Sequence, residues 1–177
     1  KMDRVGADFD NVLAMMVEKL HANPIAIQIP IGQAELFTGM VDLISMKAYE
    51  FDEHELGAKV VPVKIPEDMI EAVSYHRDEL LEKVVDYDDE LMQDMLDGSE
   101  IQPELIIRAL RKAVIDNEVV PVLCGSSLKN KGVQPLLNAV ARYLPSPLTC
   151  AKPTGIKETK EGEEKIDCDI VLSAVGV

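Results

Sequence analysis

The two ends of the chain have the pattern of strand–helix units, and the stretch between them does not. Residues 119–124 are a near-continuous apolar run, typical of a strand buried on both faces of a parallel sheet, and a helical pattern follows at 133–143. Near the N-terminus, the pattern predicts an amphipathic helix over 8–22 and a short strand over 25–29. Pro30 is expected to end this strand. Such units build parallel sheets.

The intervening residues 31–118 predict an inserted α+β subdomain. Alternation over 36–51 indicates two antiparallel strands, Pro62 makes the next strand an edge strand, and three helical patterns follow. The predicted fold class is therefore α/β, with residues 1–30 and 119–147 forming one partial parallel-sheet domain around the insert.

The remaining residues, 148–177, are predicted to be a linker and the start of a following domain. Residues 148–165 are rich in Lys, Glu, Gly, Thr and Pro, a composition typical of linkers, and residues 166–177 have the pattern of one strand. The chain begins at Lys1 rather than at a methionine, so we expect it to be a segment of a longer protein.

Charge is concentrated in the insert. The chain carries a net charge of −14, and residues 50–118 hold 20 acidic against 7 basic residues, a local net of −13. A surface of this kind repels phosphate backbones, so we expect no direct nucleic-acid binding by the insert. It predicts either a basic protein partner or simply a solvated, solubilising surface.

Other composition features predict a cytoplasmic protein without a structural metal. The three cysteines lack Cys-x-x-Cys spacing, and the three histidines lack His-x-x-x-His spacing, so neither a disulfide framework nor a zinc site is indicated. The sequence contains neither a secretory signal pattern nor an apolar run long enough to cross a bilayer.

Several sequence stretches resemble the bacterial elongation factor G family. They are residues 1–8 (KMDRVGAD), 28–32 (QIPIG), 37–46 (FTGMVDLISM), 124–139 (CGSSLKNKGVQPLLNA) and 143–147 (YLPSP). The resemblance covers about residues 1–148. It implies a P-loop-GTPase-type parallel sheet, interrupted at residues 31–118 by the inserted subdomain that the family calls G′.

The resemblance also implies which residues contact guanine. Asp3 would accept the N1–H and 2-amino groups of the base with its carboxylate, and Lys1 would lay its alkyl stem across the purine face. Ser126, Ser127 and Leu128 would line the base pocket, with backbone N–H groups directed at the guanine O6. No catalytic and no metal-binding residue is implied.

At the level of function, the resemblance implies a ribosomal translocase that uses GTP or GDP with magnesium. Its partners would be the ribosome and, through the acidic insert, the large-subunit stalk protein. Two alternatives stay open: a ribosomal-protection or release-factor GTPase, and a stand-alone acidic interaction module. The sequence KNKGVQ at residues 129–134 favours the translocase.

The sequence departs from the family in the parts that hold phosphate. It contains no Gly-x-x-x-x-Gly-Lys-[Ser/Thr] loop, so we expect no GTP hydrolysis by this chain and no nucleotide bound tightly to it. The Asn that precedes Lys1 in the family is absent, and Ser127 occupies a position where the family usually has Ala.

Overall fold

The computed structural model describes residues 1–52, 60–146, 154–159 and 162–167. They belong to two compact units, Lys1–Leu144 and Pro145–Val177. The described helices are α1 (Phe9–Leu20), α2 (Ile70–Val84), α3 (Asp89–Asp97), α4 (Pro103–Ile115) and α5 (Val133–Tyr143). The described strands are β1 (Pro24–Ala26), β2 (Gln28–Ile31), β3 (Gly39–Asp42), β4 (Lys47–Phe51), β5 (Val60–Val63), β6 (Val120–Val122), β7 (Thr154–Thr159) and β8 (Gly162–Asp167).

The segments on either side of the insert meet in a parallel sheet, which confirms the predicted fold class. Strands β1 and β6 pair in parallel with Ile25 opposite Pro121. The bonds around this pair run from Val120 N to Asn23 O (2.9 Å) and from Ile27 N to Val122 O (3.0 Å). Alternate residues donate in a parallel ladder, so Pro121 sits where β6 needs no N–H toward β1.

The strand predicted over residues 25–29 is divided between two sheets at Ile27. The Ile27 carbonyl accepts from Leu43 N at 3.1 Å, and Gln28–Ile31 then pairs antiparallel with β3. Pro30 lies inside β2, opposite Met40, so the prediction that Pro30 ends the strand is wrong. The turn comes at Gly32, whose φ is +75° and where a Cβ would lie 1.9 Å from Leu36 O.

The inserted stretch contains three helices, as predicted, and the three predicted strands β3, β4 and β5. These strands form a four-stranded antiparallel sheet with β2, which begins at Gln28, before the predicted boundary of the insert. The strand order is β2-β3-β4-β5, which puts β5 and its Pro62 at an edge. Helix α2 follows a single 3-10 turn, Glu67–Met69. Helix α3 begins after Asp88, whose side chain accepts from Leu91 N, and ends at Gly98 in the left-handed conformation.

One hydrophobic core joins the parallel strands to the helices of the insert. Buried members of this core come from both parts, for example Ile25 of β1, Leu80 of α2 and Ile106 of α4. In addition, Lys83 Nζ donates to Pro24 O at 2.7 Å and so attaches α2 to β1. The two parts therefore share a core within the unit Lys1–Leu144.

Helix α1 begins as predicted but ends at Leu20, two residues before the predicted end, and it covers less of the core than its apolar stripe suggests. Asp8 is the N-cap and accepts from Asn11 N, and the chain turns left-handed at His21. Phe9 and Leu13 pack against the core, whereas Leu20 is exposed. No helix in the described part of the chain is long and apolar enough to cross a membrane.

The second unit differs from the linker expected there. Residues Thr154–Thr159 and Gly162–Asp167 form an antiparallel hairpin, with Lys157 opposite Glu164. Composition alone indicated a linker because the segment is strongly charged, and composition does not encode strand pairing. Residues 168–177 of the predicted final strand lie outside the described residues.

Candidate functional site

The two segments predicted to contact guanine lie against each other. The backbone nitrogens of Lys1 and Met2 both donate to Gly125 O, each at 3.0 Å. The Met2 carbonyl in turn accepts from Ala34 N at 2.8 Å. The first segment is therefore held between the loop that follows β6 and the turn that precedes β3.

Asp3 and Ser126 join the two segments through their side chains. A hydrogen bond from the Ser126 hydroxyl lowers the pKa of the Asp3 carboxyl group, and the nearby charge of Lys129 acts in the same direction. Ser126 is only 1% exposed, and its Oγ also accepts from Lys129 N at 3.3 Å. Asp3 is half-buried and is held as a carboxylate at neutral pH.

The loop containing Ser126 is closed by a short antiparallel bridge. Ser126 N donates to Lys131 O at 2.8 Å, and Lys131 N donates back to Ser126 O at 2.9 Å. Asn130, in the left-handed conformation, donates to Ser127 O at 3.2 Å. These bonds leave Ser127 and Leu128 at the exposed tip, where the Leu128 side chain is 84% exposed.

Two glycines let the loop pack this tightly. A Cβ at Gly125 would lie 2.8 Å from Lys131 O. A Cβ at Gly132 would lie 2.7 Å from Cys124 O, and the φ of Gly132 is +82°. Gly132 also leads directly into α5, so it positions the helix and closes the loop at once.

A small hydrophobic cluster lies beneath the site. Its buried members are Met2, Phe37, Met40, Phe51 and Cys124. The Phe37 and Phe51 rings pack at a tilt, with centroids 5.6 Å apart. Burial raises the pKa of the Cys124 thiol to about 12, so this cysteine is a packing residue rather than a nucleophile.

The structure thus brings together the sequence-predicted residues at their backbones and, for Asp3 and Ser126, at their side chains. Lys1 is exposed beside them, and Ser127 and Leu128 form the loop tip. Sequence reasoning missed Lys131, which is 6% exposed and donates from Nζ to Phe37 O at 3.0 Å. No sequence signal distinguishes it from the exposed Lys129 in the same loop. Among the described residues, no three His, Cys, Asp or Glu side chains group to hold a metal ion.

Comparison with known proteins agrees with the sequence resemblance. Residues 1–146 match the family model of the elongation factor Tu GTP binding domain. Elongation factor G 2 from Desulfotalea psychrophila (strain LSv54 / DSM 12343) is 49% identical over 168 residues, which are 94% of this chain and 24% of that protein. A crystal structure of a Thermus thermophilus protein matches with a TM-score of 0.68 at 25% identity, over 89% of this chain and 24% of that one.

The chain spans about a quarter of the length of these relatives. The resemblance to elongation factor G is confirmed, and a stand-alone acidic module unrelated to GTPases is excluded by the match over residues 1–146. The chain belongs to the elongation factor Tu GTP-binding domain family, and within it is similar to elongation factor G.

Proposed function

We propose that this chain supplies the guanine-recognition part of a ribosomal translocase GTPase. The observation that carries the proposal is the hydrogen bond from Met2 N to Gly125 O at 3.0 Å, because it joins the two predicted base-contacting segments. The interaction of the Ser126 hydroxyl with the Asp3 carboxyl group, which lowers the pKa of Asp3, agrees with it. The five residues around the base would be Lys1, Asp3, Ser126, Ser127 and Leu128. None of them acts on the phosphates.

The proposed base contacts follow from the donors and acceptors that the site leaves available. The Ser126 hydroxyl uses part of the acceptor capacity of the Asp3 carboxylate, and the remaining lone pairs suit the N1–H and 2-amino donors of guanine. In the described part of the chain, the amides of Ser127 and Leu128 make no hydrogen bond, so they are available for the guanine O6.

A titration with mononucleotides tests this assignment on the chain itself. We expect millimolar GMP to shift the amide resonances of Asp3, Ser126 and Ser127, and IMP to bind more weakly because it lacks the 2-amino group. Loss of one such donor corresponds to about a tenfold weaker affinity. Equal binding of GMP, IMP and AMP would contradict guanine recognition.

The nucleotide of the whole protein would be GTP or GDP with magnesium, but the residues here fit only the base. The sequence has no phosphate-binding loop, and the described residues offer no cluster for a metal ion. We therefore assign no phosphate or magnesium chemistry to any residue of this chain. Hydrolysis in the whole protein would need those parts.

We further propose that the acidic insert binds the basic face of the ribosomal stalk protein, in the cytoplasm where translation takes place. Several basic side chains of the insert are already engaged within the fold. Arg77, Lys83 and Arg111 donate to backbone carbonyls, and Arg108 pairs with Asp88 and Glu90. The outward charge is correspondingly negative.

Helix α2 carries the part of this surface best suited to docking. Glu71, Tyr75, Asp78 and Glu82 lie three or four residues apart and are all exposed, so they form one stripe along the helix. Three carboxylates around an exposed tyrosine favour a basic partner with an apolar contact point. A ribosomal-protection or release-factor GTPase remains the alternative parent, with the same base contacts.

A further inference from the structure

We propose that Lys131 is a positioning residue that couples the guanine-contacting loop to the inserted sheet through Phe37. The inference rests on the proposed function for the meaning of the loop, but its structural part stands on the contacts alone. Lys131 itself would touch no nucleotide. It would hold Ser126, and through Ser126 the Asp3 carboxylate, in the geometry that receives the base.

The first argument is the burial of the Lys131 side chain. Lysine is almost never fully buried unless its ammonium group is paired, because removing the charge from water is costly. Lys131 is nevertheless 6% exposed, and its Nζ donates to the Phe37 carbonyl at 3.0 Å. Lys129, two residues earlier, is exposed. The burial of one lysine of the pair indicates a specific positional role.

The second argument is that Lys131 acts on the loop through its own backbone. Its N–H and carbonyl make both hydrogen bonds of the bridge to Ser126. Ser126 in turn bonds Asp3 and accepts from Lys129 N. A displacement of Lys131 is therefore transmitted directly to the two residues proposed to read the base.

The third argument is that the acceptor, Phe37 O, is fixed by the inserted sheet. Phe37 is 2% exposed and packs on Phe51 of β4. The next residue, Thr38, is tied on both sides: its N–H donates to Ile31 O at 3.0 Å and its carbonyl accepts from Phe51 N at 2.9 Å. The lysine thus reaches a rigid part of the sheet.

The same turn also holds the other base-contacting segment. Ala34 N donates to Met2 O at 2.8 Å, and Met2 packs in the cluster that contains Phe37. Both sides of the proposed base site are consequently attached to residues 34–38. Base binding should therefore stabilise this turn, and a more ordered turn should in return strengthen base binding, because such coupling is reciprocal.

Three variants of the 177-residue chain test the proposal. Lys131→Met keeps the length and apolar stem of the side chain but removes the donor, and Lys131→Arg restores a charged donor. Lys129→Met is the matched control in the same loop. We expect Lys131→Met to accelerate amide hydrogen exchange at Ser126 and Met2 by roughly tenfold or more, as for loss of one charge-assisted hydrogen bond. Lys131→Arg should recover most of the protection. Lys129→Met removes a charge near Asp3 but keeps the Lys129 N–H that bonds Ser126 Oγ, so exchange at Ser126 and Met2 should stay at the wild-type rate.

A second readout separates positioning from general stability. In the wild type, GMP should slow exchange at Thr38 and Phe51, which are far from the base-contacting residues in the sequence. Phe51 belongs to β4, and Thr38 is hydrogen-bonded to Phe51 and to Ile31 of β2. In Lys131→Met this remote protection should be lost, and GMP should bind roughly tenfold more weakly. Unchanged exchange at Ser126 in Lys131→Met would overturn the proposal.

The acceptor side provides an independent test if Lys131→Met fails to fold. Phe51→Leu loosens the packing of Phe37 without touching the loop, and Val73→Ala is the control because Val73 belongs to the other core cluster. Faster exchange at Ser126 in Phe51→Leu, but not in Val73→Ala, supports the coupling; equal exchange in both contradicts it. If the wild type binds no GMP, the guanine assignment fails, while ligand-free exchange still decides the coupling.

Discussion

Asp88 and Arg108 connect two helices of the insert through a carboxylate that has two structural duties. The Asp88 side chain caps α3 by accepting from Leu91 N at 3.1 Å, and it also receives the guanidinium of Arg108 on α4. The hydrogen bond from Arg108 is the main cause that lowers the pKa of Asp88 to about 2, and the cap contributes in the same direction. Protonation of Asp88 would therefore weaken both the cap of α3 and the link between α3 and α4.

Acid should weaken the protein through this carboxylate. Its pKa is lower in the folded chain than its ordinary value of 3.8, so its stabilisation is fully present above that value and is lost as the pH falls through about 2. Because Arg108 is 56% exposed, we discount the effect for solvent screening and expect about 1–2 kcal/mol.

Urea unfolding of Asp88→Asn and Asp88→Ala between about pH 2 and pH 7 measures this. Asn still caps a helix, so Asp88→Asn should lose only the ion pair and Asp88→Ala should lose about 1 kcal/mol more. Identical pH dependence in Asp88→Asn and the wild type would refute the link.

Gly132→Ala should be strongly destabilising. The substitution combines a positive φ with a Cβ placed 2.7 Å from Cys124 O, and we expect a loss of about 2–4 kcal/mol. Gly98→Ala is the matched control, since Gly98 also has positive φ but meets nothing within 4 Å; it should lose only about 1 kcal/mol. Equal losses measured by chemical denaturation would mean that the contact with Cys124 does not matter.

Asp3→Asn should change the preferred base from guanine to xanthine. An amide presents one acceptor and one donor, which matches the N1–H and C2 carbonyl of xanthine, whereas the carboxylate matches two donors of guanine. Titration with GMP and XMP should show the wild type favouring GMP, and Asp3→Asn favouring XMP, by about tenfold or more in affinity. Glu104→Gln, at an exposed carboxylate on α4 outside the site, is the control. An unaltered preference for GMP would exclude Asp3 from base contact.

GDP added at micromolar concentration should release no measurable heat on binding to the chain. Most of a nucleotide's affinity comes from phosphate contacts, and the sequence has no phosphate-binding loop. Isothermal titration calorimetry measures this directly. Micromolar or tighter binding would show that other residues of the chain hold the phosphates.

The acidic stripe on α2 should bind a basic stalk-protein domain in a salt-dependent way. Glu71→Gln combined with Glu82→Gln should weaken binding several-fold at low salt, and the difference should shrink as salt screens the charges. Glu18→Gln on α1, an exposed carboxylate away from the insert, is the control. Binding that does not respond to salt would indicate apolar contact through Tyr75 instead.

Local pattern predicted most of the helices because their signals are local. Asp8 and Asp88 cap their helices, Gly98 ends α3, and the buried positions of α4 match its apolar spacing. The prediction for Pro30 was wrong because it depended on a non-local feature. A proline interrupts a strand only where the neighbouring strand requires a backbone N–H at that position, and the strand pairing decides this.

In the candidate site too, the residue types could be predicted from the sequence, but the contacts between them could not. The types of residue that suit guanine, a carboxylate in one segment and a small-residue loop in another, are visible in the sequence and point to a family. The sequence alone therefore determined the periodic helices, the acidic insert and the residues proposed to read the base. Tertiary structure decided that β1 and β2 belong to different sheets, that Asp3 meets Ser126, and that Lys131 is buried against Phe37 while Lys129 is exposed. The physical reason is that burial and hydrogen-bond partners are set by contacts between residues far apart in the chain, and no local pattern encodes them.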